Sequence, residues 1–255
     1  MLSGKTGLIL GVANRHSLAW HITRALSDAG ARLILTFQGE RFEKRINKLC
    51  AEFLQSSPLL LPCDVEDDRQ IEDLYTQIGQ AYERLDFIIH SIAYAEKEDL
   101  AGKFVNTSRE GFKKALTISA YSLLAVVRPA VPLMTGGGSI VTLSYLGSQR
   151  FIPHYNVMGV AKAALESSVR YLAYDLGEKD IRVNALSPGP VNTLSARGIR
   201  GFTNFLSYAG ENAPLKRNIE GDEIGNAALF LCSDLSRGIT GETIFVDAGY
   251  HLKGY

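Results

Sequence analysis

Seven short runs rich in valine, isoleucine and leucine punctuate this chain, near residues 6–12, 32–37, 59–63, 86–92, 139–144, 181–187 and 243–247. Many are apolar at successive rather than alternate positions, which is how a strand buried on both faces reads. Between the first two, Leu18, Ala19, Ile22, Ala25, Leu26 and Ala29 share one helical face, and Gly30 follows where a C-terminal cap is wanted. That is a β-α-β unit. Ile71, Leu74, Ile78 and Tyr82 mark the face of another helix, and Thr107-x-x-Glu110 has the spacing of a capping box that opens a further one. The alternation persists to the end, with no internal repeat or linker-like tract. It predicts a single-domain, doubly wound parallel α/β sheet of Rossmann type with about seven strands, spanning residues 1–255. In such a sheet the ligand crevice lies beyond the carboxyl ends of the strands, so functional side chains are expected there.

Composition narrows the partners. The 255 residues are 46% hydrophobic and 21% charged, which excludes disorder, collagen and coiled coil. Lysine plus arginine number 27 and the acids also 27, so no charge bias favours nucleic acid or an anionic membrane. The longest apolar stretch, from Tyr121 to Met134, is interrupted by Arg128, Pro129 and Pro132 and falls short of the ~20 residues that span a bilayer. No transmembrane helix is expected. The amino-terminal residues lack the charged region, apolar region and cleavage site of a secretory signal, so export is not expected either. Cys50, Cys63 and Cys232 are odd in number and widely spaced, forming neither a disulfide framework nor a metal or redox pair. A reducing cytoplasm and a metal-free site fit this usage.

Two sets of residues carry chemistry. The first strand runs into Gly11-Val12-Ala13-Asn14-Arg15-His16-Ser17 and then directly into a helix, where a dinucleotide pyrophosphate meets free N–H groups. The usual G-x-G-x-x-G spelling is absent: only Gly11 serves as a tight-turn glycine, with Ala13 and Ser17 as small or hydroxyl-bearing substitutes. A plain β-α turn with a serine cap reads the same way. The second set is Tyr145, Tyr155 and Lys162, around the fifth strand and the helix behind it. If Tyr155 is helical, Lys162 lies two turns on and nearly on the same face. A phenol is a suitable proton donor to a developing enolate, and a nearby ammonium strengthens it and holds ribose hydroxyls.

Taken in order, Gly11 to Trp20, Asp64-Val65, His90-Ser91-Ile92-Ala93, Tyr145, Tyr155-x6-Lys162 and Ser187-Pro188-Gly189-Pro190-Val191-Asn192-Thr193 resemble the short-chain dehydrogenase/reductases of the enoyl-acyl-carrier-protein reductase branch. The resemblance covers essentially the whole chain. Its sharpest element separates it from carbonyl-reducing relatives, which use Tyr-x3-Lys with an upstream serine. Here Met158, with no acidic proton, stands four places before Lys162, and Tyr145 stands where those relatives carry serine.

The resemblance implies a nicotinamide-dependent reductase of the trans-2 double bond of enoyl thioesters on acyl carrier protein, assembled as a homotetramer. It assigns Tyr145, Tyr155 and Lys162 to catalysis. It assigns the cofactor to Gly11, Ser17, Leu18, Gln38, Asp64, Val65, Ser91, Ile92, Ala93, Lys162, Val191 and Thr193. Substrate falls to Ala95, Tyr145, Tyr155, Ala196, Ile199 and Phe202, the last three in a substrate-binding loop at about 192–206. Arg197 and Arg200 in that loop either face the acidic carrier or lie in solvent. Asp64 reads equally well as the N-cap of the next helix, and His90 as a satisfied core histidine. A carbonyl reductase and a non-catalytic dinucleotide sensor are the alternatives on the same fold. For cofactor choice, the second strand ends in Gln38, which is neutral, while Glu40 opposes a 2′-phosphate and partly offsets Arg41; the balance predicts NADH over NADPH.

Overall fold

The computed structural model describes residues 1–191, 193 and 202–253. Each apolar run forms a strand: β1 (Thr6–Leu10), β2 (Arg32–Phe37), β3 (Leu59–Pro62), β4 (Phe87–His90), β5 (Gly138–Leu143), β6 (Ile181–Pro188) and β7 (Thr243–Val246). They lie in one sheet in the order β3-β2-β1-β4-β5-β6-β7, and every neighbouring pair is parallel. The order reverses between β1 and β4, which sets the ligand crevice at the ends of those two strands.

Among the described residues the α-helices are α1 (Leu18–Asp28), α2 (Glu40–Phe53), α3 (Asp68–Ala81), α4 (Lys97–Leu100), α5 (Arg109–Leu116), α6 (Ser122–Ala130), α7 (Val157–Leu176), α8 (Phe202–Asn212) and α9 (Gly221–Cys232). Two cores explain the unbroken apolar runs. Leu8 and Leu10 of β1 join the core formed with α3, α6 and α7, whereas Ile9 joins the one formed with α1, α2 and α9. On β2, Ile34 faces the first and Leu33 and Leu35 the second. Each such burial is worth roughly 1.5–3 kcal/mol, so a polar residue on either face forfeits that stabilisation.

Helix boundaries depart from the sequence expectation where local signals compete. Thr107 does not cap α5: its hydroxyl donates back to the carbonyl of Phe104, and Ser108 accepts from the N–H of Gly111 instead. The next residue has the free geometry. Asp64 is likewise not the cap of α3, a role taken by Asp67, which accepts from Arg69 N–H. A capping box does exist, at Glu220 and Glu223 of α9, built from two acids rather than a hydroxyl and an acid.

The apolar stretch at Tyr121–Met134 is also longer in space than in sequence. Together with α5, a π-helical turn (Thr117–Tyr121) and a short 3₁₀ turn, α6 makes a continuous 25-residue helical run from Arg109 to Leu133, long and apolar enough by length and composition to cross a membrane. Its Ala115, Leu123, Val126, Val127 and Ala130 are buried within this protein, which makes it a core helix.

Candidate active site

The crevice floor is formed where β1 and β4 end. Gly11 has φ +100°, and a Cβ there would sit 2.0 Å from the carbonyl oxygen of Ser91. Only glycine fits. The Ser91 N–H in turn donates to Leu10 O at 3.1 Å, so the two loops are joined directly. Ser17 occupies the N-cap position of α1 without capping it. Its hydroxyl donates to Asn14 O (2.7 Å) and accepts from Ala13 N–H (3.4 Å), stiffening the 11–17 turn instead. Leu18 is the first residue of α1, so the helix N-terminus with its positive dipole end opens onto the crevice.

At the outer edge, the Gln38 amide donates to Asp64 Oδ2 at 2.6 Å. This contact engages the Gln38 NH₂ and leaves its amide oxygen as an acceptor, beside a carboxylate. The other Asp64 oxygen accepts from Glu66 N–H, and Val65 packs against the core. Arg45 reaches across from α2 to the carbonyl of Ala13 at 3.4 Å. An open cleft of about 270 Å³ joins His16 and His21 to Pro190 and Val191 beyond β6, with Ile219 and Gly221 also lining it.

Past β4, Ile92 packs on the core and Ala93 is exposed. Ser119, in the π-helical turn, fixes the next residues: its hydroxyl accepts from Tyr94 N–H (2.9 Å) and lies 3.1 Å from Tyr94 O, which holds Ala95 in place by its neighbour. Such turns commonly mark functional sites. His90 is fully buried, with Nδ1 2.9 Å from Thr142 Oγ1 and Nε2 2.8 Å from Ser122 Oγ. Ser122 also gives its proton to Ile118 O at 2.6 Å, and Thr142 Oγ1 reaches His90 O at 3.2 Å, so the imidazole sits in a closed polar network. Burial, reinforced by the Lys162 charge, pulls His90 down to about 3, and it is a neutral core histidine.

Tyr145 and Tyr155 come together after β5. Their rings meet edge to face, centroids 4.9 Å apart. Burial pushes both phenols up, Tyr155 further through Tyr145, so both stay protonated at neutral pH. The sequence argument from helical spacing does not hold for Tyr155, because α7 begins only at Val157 and Asn156 has φ 39°. Lys162 is buried in α7 and donates to Leu143 O at 2.6 Å; among the described residues no hydrogen bond links it to Tyr155. Burial lowers Lys162 to about 8, opposed by the charge of Glu166. Met158 is buried in the first turn of α7, its sulfur 3.7 Å from the Ser119 hydroxyl, so no phenol stands at that position.

Val191 packs on the core and accepts from Thr193 N–H at 2.8 Å. Ala196, Ile199, Arg197 and Arg200, with the side chain of Phe202, lie outside the described residues. The carboxyl-terminal part of the expected 192–206 loop, from Phe202 on, forms the start of α8. Two contributors escaped the sequence reading. Ser119 sits in the π-helical turn and Glu166 in α7, and only contacts between distant segments reveal them.

A parallel sheet with a glycine-floored crevice at its switch point, a helix N-terminus above it, and paired tyrosines with a buried lysine beside it define a dinucleotide-binding reductase. The model of the enoyl-(acyl carrier protein) reductase family matches residues 11–251. The enoyl-(acyl-carrier-protein) reductase (NADH) FabI of Bacillus subtilis is 51% identical over 251 residues, 98% of this chain and 97% of that relative. Among solved structures, the Bacillus cereus enoyl-acyl carrier protein reductase with NADP⁺ and indole naphthyridinone superposes with a TM-score of 0.98 at 50% identity, covering 100% of this chain and 99% of that one. The Anaplasma phagocytophilum reductase in complex with NAD gives 0.96 at 48% identity, covering 100% and 96%. The chain belongs to the enoyl-(acyl carrier protein) reductase family.

Proposed function

We propose that this chain reduces the trans-2 carbon–carbon double bond of enoyl thioesters on acyl carrier protein, with NADH, in fatty acid biosynthesis. The observation that carries this reading is the Tyr145–Tyr155 pair at the end of β5 in a chain matched by the enoyl reductase family model, with Met158, a buried thioether, four residues before Lys162 where the resemblance puts a phenol in carbonyl-reducing relatives.

The residues present fit a dinucleotide. Gly11, Ser17 and Leu18 would hold the pyrophosphate at the α1 N-terminus. The Gln38 oxygen would accept from ribose, Asp64 and Val65 would meet the adenine, and the small side chains from Ser91 to Ala93 admit the backbone to close approach. Val191 and Thr193 would bind the carboxamide, and Lys162 the nicotinamide ribose. Bound there, the nicotinamide would supply the hydride for the β-carbon, and a proton delivered to the α-carbon would complete the two-electron reduction. Tyr155, kept protonated by burial, donates to the thioester oxygen as negative charge develops there, an interaction worth roughly 3 kcal/mol where comparable donors have been removed. Lys162 fixes the geometry that makes the transfer effectively unimolecular. Tyr145 and Ala95 line the substrate side, with Ala196, Ile199 and Phe202 completing the pocket from the 192–206 segment.

The cofactor preference follows from the outer edge of the crevice. Asp64 takes the Gln38 amide protons and sets a carboxylate beside the ribose corner, which disfavours a 2′-phosphate. The relative from Bacillus subtilis carries NADH in its name, and the Anaplasma structure holds NAD. We place the protein in the cytoplasm as one reductase domain that assembles into a homotetramer and docks acyl carrier protein as its macromolecular partner. Initial rates of NADH oxidation with crotonyl thioester and with acetoacetyl thioester test the reading. Reduction of the first alone is expected; comparable turnover of the two would refute it.

A further inference from the structure

Glu166 is a carboxylate only 5% exposed, one helical turn beyond Lys162 on α7. Its Oε1 accepts from the hydroxyls of Ser144 and Ser148, each at 2.6 Å, and its Oε2 from the Gln149 amide at 3.3 Å. These three donors bracket the turn that carries Tyr145. Lys162 holds the residue just before them, through Leu143 O. Within the turn, Gly147 is pressed between the two tyrosines and α7. A Cβ there would meet the Tyr155 ring at 2.4 Å and Tyr145 at 3.4 Å, and one on Gly159 would meet Gly147 O at 2.8 Å. A buried charge is retained only when it is fully engaged, and this one grips a single turn.

We propose that Glu166 is a positioning residue of the reductase: it moors the Ser144–Gln149 turn, so that Tyr145 and Tyr155 hold their ring geometry, and from one helical turn away its charge acts on Lys162. The proposal rests on the functional reading above for the roles of the tyrosines and the lysine, but not for its geometry. His90 on β4 feels the Lys162 charge, and Tyr145 and Tyr155 lie in the connection to α7. All three are neutral near pH 8. Glu166 is therefore the charge that acts on the lysine, and it favours the protonated form.

Two substitutions separate the functions. Glu166→Gln keeps the shape and an acceptor for both serines but removes the charge; Glu166→Ala removes the mooring as well. In ligand-free protein labelled with ¹³C at the lysine side chains, with the Lys162 resonance identified by its loss in Lys162→Ala, Glu166→Gln is expected to lower the Lys162 midpoint by about half a pH unit or more. Near-ultraviolet circular dichroism from the tyrosine pair should survive in Glu166→Gln and weaken in Glu166→Ala. With NADH and crotonyl thioester, Glu166→Ala should lose about tenfold or more in kcat, since small misplacements of reacting groups are costly. At pH 6.5 Glu166→Gln should restore most of that loss. If Glu166→Ala does not fold, Ser148→Ala, which drops one of the three bonds, should lower kcat by a few-fold with cofactor Kd unchanged. An unmoved Lys162 midpoint in Glu166→Gln overturns the electrostatic role. Unchanged dichroism and kcat in Glu166→Ala, or in Ser148→Ala where that is the variant used, overturn the mooring. A wild-type protein inert toward the enoyl thioester would instead sink the functional reading, leaving the resonance and dichroism results to judge Glu166.

Discussion

The two sides of the crevice are built from different materials. The side formed by β1, β2 and β3 is made of turns: Gly11 against Ser91, Ser17 bonded back to Asn14, and Gln38 tied to Asp64 at the surface. The side formed by β5 and α7 is made of buried side chains that hold one another, with Lys162 on Leu143, Glu166 on Ser144, Ser148 and Gln149, and Tyr145 on Tyr155. A surface built of pinned turns suits a ligand that must bind and leave on every turnover, since it has few long side chains with entropy to lose. A side-chain-built surface suits chemistry, where a donor must stay in place and in one protonation state.

The largest effect should come from breaking the turn-built side at its floor. Gly11→Ala combines a forbidden φ with a Cβ driven into the Ser91 carbonyl. It should cost about 3 kcal/mol of stability and abolish cofactor binding, as read by urea unfolding and NADH fluorescence titration. Retention of both would mean that the loops are not locked together as described.

The polar core beneath the two sides gives the next largest. His90 titrates at about 3 in the folded protein and near 6.5 unfolded, so between those values the unfolded chain binds more protons and stability falls as pH falls. Its share is about 1 kcal/mol over the first pH unit below 6.5. The slope of unfolding free energy against pH should be shallower in His90→Asn, and identical slopes would exclude this source. Smallest is the edit at the outer edge. Asp64→Asn removes the carboxylate behind Gln38 and should raise kcat/KM for NADPH relative to NADH by about fivefold. An unchanged ratio would show that Asp64 does not set the preference.

The same division governs what the sequence made legible. Strands buried on both faces announce themselves by composition, and all seven runs became strands because the sheet is covered on both sides. Gly11 was readable because a strand-to-helix turn needs a glycine. On the side-chain-built half, Tyr145, Tyr155 and Lys162 were found as a pattern, yet the reason offered for pairing Tyr155 with Lys162 was wrong, since Tyr155 precedes the helix. Glu166 was invisible because its partners lie 17 to 22 residues away, and a glutamate in a helix that also carries Arg170 and Asp175 reads as solvated. Thr107, and Asp64 in one of its two readings, look like caps for the opposite reason. Several hydroxyl or carboxylate residues cluster before α5 and α3, and local spacing does not say which one has the geometry.

The central claim is that Tyr155 acts on the reacting substrate alone whereas Lys162 also holds the cofactor, and paired measurement of cofactor Kd and kcat in Lys162→Ala and Tyr155→Phe tests it most directly. Lys162→Ala should weaken NADH binding as well as lower the rate. Tyr155→Phe, which keeps the ring against Tyr145 and Gly147 but removes the hydroxyl, should lower kcat by about 100-fold with Kd for NADH unchanged. Normal NADH affinity in the lysine variant, or a Tyr155→Phe enzyme that loses affinity rather than turnover, would contradict it.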